Sequence, residues 1–462
     1  MSIMNGTKMN ITIFFSMLFC LQLFYWLVGR RASRNLKDKD DYFLAGKSVR
    51  LFPLMMTFLA TQVGGGVILG AAEEAYQFGW PVLFYPLGVA LGLILLGCGI
   101  GRKLAGFQVS TIAEIFEVAY GSVMLRKIAS ILSVISLFMI LVAQIIASNK
   151  FLISLGFDNV PLFIIFWSIV IIYTTQGGLR AVISTDMVQA AFFSSIFLLC
   201  FGYVLLFEPT TTLLQMPHFE NLVNISPKLS GWLLMPLLFM IIEQDMGQRC
   251  FAGASPKIVS QATFLAGLCT MIVCMVPVYF GALANATDLE MPQGGSVLIA
   301  MIAKTTNPWI TALMGCAILA AIISTATSLI NAISSNLSND FKLSLLMKMG
   351  SMRVTKGITC LISASAIFFA FYFDNIVGLL IQSYELSVSC LFVPIVMVLF
   401  KKQGNFMAAL FAIILGSTGF FLFRIYPIDF PKEIASIFLS ILGYTFGEIM
   451  IRYHLKIANK AT

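Results

Sequence analysis

The sequence predicts an all-α integral membrane protein with about thirteen transmembrane helices, and three observations lead to this fold class. Of the 462 residues, 59% are hydrophobic and 11% are charged, whereas soluble domains are about 45–50% apolar and about 25% charged. The mean hydropathy is +0.93. The apolar residues also fall into runs of about 20, the length that crosses a bilayer as a helix. These values exclude a soluble enzyme, a disordered chain and a disulfide scaffold.

The apolar runs define the predicted spans, which are taken here in order along the chain. They cover residues 10–29, 51–72, 81–101, 127–149, 160–176, 186–207, 231–248, 257–284, 308–338, 354–373, 375–400, 404–424 and 433–452. The first is interpreted as a helix rather than a signal peptide, because RRASRNLK follows it directly and no small-residue cleavage site is present. The segments between spans are too short for a soluble domain, so we expect residues 1–462 to form a single transmembrane domain.

Basic residues predict the orientation of these spans. If the N-terminus is extracellular, all but six of the 29 lysines and arginines fall on the cytoplasmic side. The six on the other side are Lys8, Lys150, Lys228, Lys304, Arg424 and Lys432. Because cytoplasmic loops of membrane proteins carry an excess of lysine and arginine, the pattern predicts an extracellular N-terminus and a cytoplasmic C-terminus. The same bias accounts for the net charge of +8 without a nucleic-acid partner.

Two of the spans are poorly suited to a continuous helix. The second contains three consecutive glycines at 64–66, which weaken a helix and free backbone carbonyls. The seventh contains the polar string EQDMGQR at 243–249. Broken helices of this kind hold substrate and ion near the midplane of secondary transporters. The alternative for the glycines is close packing between helices.

The two interrupted spans lie five spans apart, which predicts a repeated organisation. Each begins a block of five helices, the first over residues 51–207 and the second over residues 231–400. Because five is odd, the blocks enter the membrane from opposite sides and form inverted repeats. The span at 10–29 and the two spans at 404–452 are then additions outside the repeats.

Cysteine and histidine give no indication of an enzyme. The nine cysteines are scattered without a CxxC pair, and the two histidines, His218 and His454, are far apart. No nucleophile–base pair or metal-ligand cluster is apparent. We therefore predict a protein that is not an enzyme and needs no cofactor.

Four strings in the expected order resemble the sodium/solute symporter family. They are DYFLAGKS at 41–48, YTTQGGLRAVISTDMVQ at 173–189, the pair Gln248-Arg249, and AAIIST at 320–325. The resemblance covers roughly residues 40–400. It implies the LeuT-like five-plus-five inverted-repeat fold of this family, with thirteen helices, and sodium-coupled transport of a small solute.

The resemblance also implies a sodium site between the first and eighth core helices. Its ligands would be the carbonyls of Ala60, Val63 and Ala321 and the hydroxyls of Ser324 and Thr325. Neutral oxygens of this kind hold a monovalent cation weakly enough to release it. The alternative for the two hydroxyls is a hydrogen bond to the preceding helical turn.

Some family members hold a second sodium, and the matching positions here are Asp186, Thr327 and Ser328. A carboxylate at this depth is costly and usually functional. Asp186 lies at the start of the sixth predicted span, where capping of that helix is an equally good interpretation.

The string ATQVGGG at 60–66 most resembles the choline-transporter branch, which reads ATWVGGG and encloses a quaternary ammonium in aromatic faces. Gln62 replaces one tryptophan of that branch, and Glu243 stands at the position of a second. Together with Gly65 and Gln244, these residues predict a site for a small polar solute with hydrogen-bonding groups, with an amine among the candidates.

Four further residues are candidates for gates. Asp245 and Arg249 are four apart on one helix, which fits either a local salt bridge or an inner gate. Tyr384 and Glu385 lie in the eleventh predicted span, which would close the outer side of the site. A glutamate inside a membrane is a functional candidate, with a buried hydrogen bond as the alternative.

The sequence as a whole predicts a sodium-coupled symporter that imports a small polar organic solute by alternating access. We expect it in the inner (cytoplasmic) membrane, with sodium, the solute and the lipid bilayer as partners and no nucleic acid or obligatory protein partner. One alternative is proton coupling through Asp186 or Glu385. Another is a solute sensor that does not transport, although no signalling domain is apparent.

Overall fold

The computed structural model is almost entirely helical. It describes residues 11–35, 39–207, 222–287, 289, 294–341, 351–426 and 428–461; Lys8 and the first residue of the predicted span 10–29 lie outside these ranges. Within them, nine helices are long and apolar enough to cross a membrane, or up to eleven if each of two bent pairs is one span. The all-α membrane class is therefore confirmed, while the count of thirteen, the orientation and the inverted repeats stay predictions.

The helices are labelled in chain order. In the first half they are α1 (Ile11–Ala32), α2 (Lys39–Leu44), α3 (Leu51–Gln62), α4 (Gly66–Phe78), α5 (Trp80–Ala105), α6 (Ile112–Tyr120), α7 (Val123–Ser154) and α8 (Val160–Phe207). In the second half they are α9 (Leu222–Ile242), α10 (Gln244–Ala252), α11 (Pro256–Ala286), α12 (Val297–Thr305), α13 (Pro308–Asp340), α14 (Ser351–Phe369), α15 (Ile376–Lys401), α16 (Phe406–Ile425) and α17 (Lys432–Ala461).

Both predicted interruptions are present. The axis turns by 54° between α3 and α4, where residues 63–65 separate the two helices. It turns by 45° between α9 and α10, where Glu243 alone separates them and has an extended backbone. A bend of this size removes several intrahelical hydrogen bonds and leaves backbone carbonyls available to other partners.

Close packing explains the three glycines at the first interruption. A Cβ atom at Gly65 would collide with the side chain of Ala147 in α7. At Gly66 it would collide with Leu380 in α15, and at Gly64 it would lie 2.5 Å from the Thr325 hydroxyl oxygen of α13. Because three helices meet the broken segment at atomic contact, glycine is required there for space as well as for flexibility.

Helix α8 corrects the sequence-based boundaries of two spans. The predicted spans 160–176 and 186–207 both lie on it, and the chain turns at Gly178, which has φ of 64°. A Cβ at this residue would lie 2.7 Å from the Tyr42 carbonyl oxygen, so glycine is needed on both grounds. The second part runs from Gly177 to Phe207. Asp186 is therefore inside a helix, and its interpretation as a helix cap is wrong.

Helix α13 lies at the centre of the molecule. In its most apolar stretch 94% of the residues are buried, compared with 11% in the corresponding stretch of the peripheral α1. It begins at Asn307, whose side chain accepts hydrogen bonds from the backbone N–H groups of Trp309 and Ile310, and Pro308 occupies the first turn. Its small residues allow α3, α7, α8 and α10 to pack against it. The polar groups of the interior are arranged around this helix.

Candidate functional site

Two hydroxyls of α13 face the point where α3 ends. Ser324 Oγ donates to the carbonyl oxygens of Ala60 at 3.0 Å and Ala321 at 2.8 Å. Thr325 Oγ1 lies 3.2 Å from each of the same two carbonyl oxygens and 3.0 Å from that of Thr61. Both interpretations of the hydroxyls therefore hold at once: they bond to the preceding turn of α13 and they also reach across to α3.

Four of the five residues proposed for sodium thus come together, and a fifth oxygen joins them. The Thr61 carbonyl is within hydrogen-bond distance of Thr325, although the sequence did not single it out. Val63, the fifth predicted residue, is fully buried and forms the C-terminal cap of α3. The cluster contains only neutral carbonyl and hydroxyl oxygens, the ligand type that suits a transported monovalent cation.

A second polar cluster surrounds the guanidinium group of Arg249, which is completely buried. This group donates to Thr57 Oγ1 at 2.9 Å, to Ser328 Oγ at 2.5 Å and to Asp186 Oδ2 at 3.2 Å. It also pairs with the carboxylate of Asp245, one turn earlier on α10. The hydroxyl of Thr57 donates to Asp186 Oδ2 at 2.5 Å. We call these five residues the Arg249 network.

The Arg249 network takes up part of the set predicted for a second sodium. Asp186 and Ser328 belong to it, with 3.4 Å between the Ser328 hydroxyl and the carboxylate. Thr327 points elsewhere: its hydroxyl donates to the Ser324 carbonyl at 3.0 Å, and it lines a separate cavity between α1 and α8. The local salt bridge predicted between Asp245 and Arg249 is present.

Gln62 and Glu243 meet where the two broken helices face each other. The amide nitrogen of Gln62 donates to Glu243 Oε2 at 3.1 Å, and both side chains are buried. They line a narrow cavity that has room for about one water molecule in this conformation. The remaining lining residues come from six helices and the first break: Thr61, Gly64, Gly66, Val67, Tyr85, Ile140, Gln144, Thr325, Leu329, Leu380 and Tyr384.

Two residues predicted for the substrate have other contacts. The side-chain oxygen of Gln244 accepts the backbone N–H of Ile112 at 2.7 Å, which ties α10 to α6 instead of facing the cavity. Gly65 contributes through its backbone, since its N–H donates to Gln144 Oε1 at 2.7 Å. Gln144 itself was not singled out from the sequence. An isolated amide inside the apolar span 127–149 was the available signal, because a polar group at this depth is usually functional.

The four gate candidates lie in three different places. Asp245 and Arg249 belong to the Arg249 network. Tyr384 lines the central cavity and stacks on Phe239 of α9 with 4.6 Å between ring centroids. Glu385 accepts a hydrogen bond from Arg424 of α16 at 2.7 Å and lines a separate cavity beside α17. The adjacent residues Tyr384 and Glu385 thus line different cavities.

These features together define the class of protein. Two helices break inside an apolar bundle, and a buried cavity and a cluster of neutral oxygens lie at the breaks. Secondary transporters place substrate and coupling ion at discontinuous helices in this manner.

The chain belongs to the sodium:solute symporter family, whose model matches residues 42–416. It is 25% identical over 422 residues to high-affinity choline transporter 1 of Drosophila melanogaster, covering 85% of this chain and 68% of that protein. It is 24% identical over 332 residues to the sodium/pantothenate symporter of Haemophilus influenzae, covering 66% of each. The family resemblance predicted from the four sequence strings is confirmed, and the chain is a multi-pass membrane transporter rather than an enzyme.

Solved structures show the same fold. The chain is similar to a Na⁺-coupled sialic acid symporter in a substrate-bound outward-open state, with a TM-score of 0.79, 19% identity and coverage of 95% of this chain and 97% of that one. It is also similar to a nucleobase-cation-symport-1 family transporter in a closed conformation, with a TM-score of 0.58, 13% identity and coverage of 90% and 97%. The predicted LeuT-like architecture is thereby supported at the level of the fold.

Proposed function

We propose that this protein imports a small polar organic solute together with sodium, by alternating access across the inner membrane. One observation carries the proposal. The hydroxyls of Ser324 and Thr325 meet the backbone oxygens of Ala60 and Thr61 at the end of α3, so α3 and α13 jointly offer a cation site at a helix break.

Sodium would bind among these oxygens in place of the hydroxyl–carbonyl hydrogen bonds. Each hydroxyl can rotate its hydrogen away and present a lone pair to the ion. The Val63 carbonyl, at the end of α3, is the remaining predicted ligand. Because the ligands come from two helices, the ion would hold α3 and α13 together in one state and release them in another.

The solute would bind in the adjacent cavity between Gln62 and Glu243, with Gln144 in its wall and the backbone N–H of Gly65 holding the Gln144 side chain. Thr325 belongs to both places, since it lines the cavity and bonds to Ala60. Occupation of the sodium site would therefore order one wall of the solute site. This contact offers a physical route for coupling between the two ligands.

The sodium gradient could support substantial accumulation. One sodium ion crossing about 100 mV contributes roughly 2.3 kcal/mol, and a tenfold concentration ratio adds about 1.4 kcal/mol. The total of about 3.7 kcal/mol corresponds to a solute ratio of several hundred at one sodium per solute.

Sodium binding to the purified protein tests the proposal without knowledge of the solute. Thermal stabilisation is titrated with sodium chloride at constant ionic strength, with potassium chloride as the balancing salt. Ser324→Ala and Thr325→Ala each remove one of about five oxygens, and the half-saturating sodium concentration should rise at least tenfold. Thr311→Ala is the matched control, because this buried hydroxyl lies on the same helix and bonds to Asn307 near its start.

Two outcomes would contradict the proposal. An equal half-saturating sodium concentration in wild type, Ser324→Ala and Thr325→Ala would show that these hydroxyls do not bind sodium. Stabilisation that follows pH and ignores sodium would favour proton coupling, for which Asp186 and Glu385 are the carboxylates to replace next.

A further inference from the structure

The charges in the interior of the bundle do not balance. Among the described residues, three other glutamates, two on α4 and one on α15, each have a basic partner of their own. The pairs are Glu73 with Lys150 at 2.8 Å, Glu74 with Lys228 at 3.6 Å, and Glu385 with Arg424 at 2.7 Å. Each of these pairs is neutral as a unit.

In the centre, three buried acids share one base. Arg126 is also shared by three acids, but two of them, Glu114 and Glu117, are 26% and 32% exposed, so water screens their charge. Asp186 and Asp245 both pair with Arg249. Glu243 is 4% exposed, and its hydrogen-bond partner is the neutral amide of Gln62. With all three acids ionised, the Arg249 network together with Glu243 carries a net charge of −2.

Such a charge is unstable in a low-dielectric interior unless cations enter or a carboxylate takes up a proton. Moving an ion from water to the protein interior is strongly unfavourable, even after relaxation. Sodium at the Ser324–Thr325 site would supply one positive charge. The second can come from a proton on Glu243 or from a cation that displaces this proton, and the cavity beside Glu243 is where the solute would bind.

We propose that the solute is a small monocationic amine that carries N–H groups, with Glu243 as its counter-ion. This inference rests on the sodium-coupled function proposed above and specifies its substrate class. One sodium and one protonated amine would bring the net charge of the centre to zero. Each alone would leave an uncompensated charge, so binding of one should strengthen binding of the other.

The lining of the cavity favours an amine with N–H groups over a quaternary ammonium. A quaternary ammonium has no hydrogen to donate and is held by aromatic faces. Here Gln62 and Glu243 stand where the choline-transporter branch has tryptophans. Together they offer amide and carboxylate oxygens to N–H donors. Because this conformation leaves room for about one water molecule in the cavity, the cavity must widen to admit a solute, and a small amine requires the least widening.

Two sodium ions and a neutral solute would balance the charge equally well. The second sodium would need Asp186 and Ser328, the two residues that the family resemblance assigns to it. Both already accept hydrogen bonds from the Arg249 guanidinium, at 3.2 Å and 2.5 Å. The fixed cation of the side chain thus stands where a second ion would bind, so the amine is the better match.

The test compares amines with their neutral counterparts on the purified full chain. The probes are ethanolamine, propylamine and pyrrolidine, with ethylene glycol, 1-propanol and tetrahydrofuran as uncharged matches and choline as the quaternary control. Thermal stabilisation is measured in sodium and in potassium. At least one amine should stabilise the protein in sodium only, and its uncharged match and choline should not.

Two variants and one control assign the effect to Glu243. Glu243→Gln should weaken the amine response at least tenfold. Because that variant alone could act through misfolding, the double variant Gln62→Glu/Glu243→Gln returns a carboxylate to the opposite wall and should restore the response. Glu448→Gln, a change of the same type in the peripheral α17 next to Arg452, should leave it unchanged.

Charge movement provides an independent measurement. In proteoliposomes on a solid-supported membrane, co-transport of one sodium and one amine moves two charges but only one sodium ion for each solute, so uptake of radioactive sodium is measured beside the current. Two sodium ions per neutral solute, or equal stabilisation of wild type and Glu243→Gln by an uncharged probe, would overturn the amine assignment and keep sodium coupling. A sodium response without any amine response would do the same. Loss of the sodium response altogether would instead overturn the proposed function itself.

Discussion

Replacing Arg249 with glutamine should destabilise the folded protein by about 3–5 kcal/mol, the usual cost of removing one partner from a buried ion pair. Arg249 is fully buried and donates to Thr57, Ser328 and two carboxylates. Glutamine cannot neutralise either carboxylate, so both would remain in the interior without a cation. The change corresponds to a roughly 150- to 5,000-fold shift in the folding equilibrium.

The assay is reversible unfolding in mixed detergent micelles, followed by tryptophan fluorescence. Arg452→Gln is the matched control, because this arginine is 77% exposed and lies 3.9 Å from Glu448. Exposed pairs of this type contribute little to stability, so no measurable change is expected for the control.

A double-mutant cycle separates charge from packing. Asp186→Asn removes one of the two carboxylates, so the double variant with Arg249→Gln should be more stable than the sum of the single effects predicts. Groups in one hydrogen-bonded network show coupling energies of about 0.5–3 kcal/mol. Additivity within experimental error would refute the view that Arg249 acts as the counter-ion of Asp186.

Two further predictions concern packing and the outer ion pair. Gly65→Ala would place a methyl group against Ala147 and should destabilise the folded protein by about 1–3 kcal/mol. Gly202→Ala is the control, because nothing lies within 4 Å of the new atom, and it should be neutral or slightly stabilising in the same unfolding assay. Arg424→Gln should destabilise more than Glu385→Gln, because only the first leaves a buried carboxylate without its cation; equal effects in denaturant unfolding would show that the pair contributes through shape alone.

Much of the fold was predictable because its signals are local. Runs of about 20 apolar residues are visible in any window of the sequence, and the glycines at 64–66 mark a break through their own lack of a side chain. The polar string around Glu243 marks the second break in the same way. The turn at Gly178 falls in the segment that was predicted to separate the spans 160–176 and 186–207. The polar residues between 180 and 186 caused the second helix to be started too late, at residue 186 instead of 177.

The site was predictable only where family strings or helical spacing placed residues together. The pairing of Asp245 with Arg249 follows from a separation of four residues. Thr57 and Asp186 are 129 residues apart, and their contact depends on how α3 and α8 are rotated against each other. Nothing in the local sequence encodes that rotation, so Thr57 was missed and Arg249 was connected to only one of its two acids.

The oxygen cluster around Ser324 and Thr325, where we propose that sodium binds, and the Arg249 network lie along the same contact between α3 and α13. Ser328 is one helical turn beyond the cluster on α13, and Thr57 is one turn before it on α3. Thr61 connects the two, since its carbonyl accepts from Thr325 at 3.0 Å while its hydroxyl lies 3.2 Å from Ser328. Any movement that separates α3 from α13 must therefore disrupt both features. Arg249 is a permanent part of the chain, whereas a transported sodium ion would leave. Departure of the proposed sodium ion would therefore be the event that weakens the contact between α3 and α13 during a transport cycle.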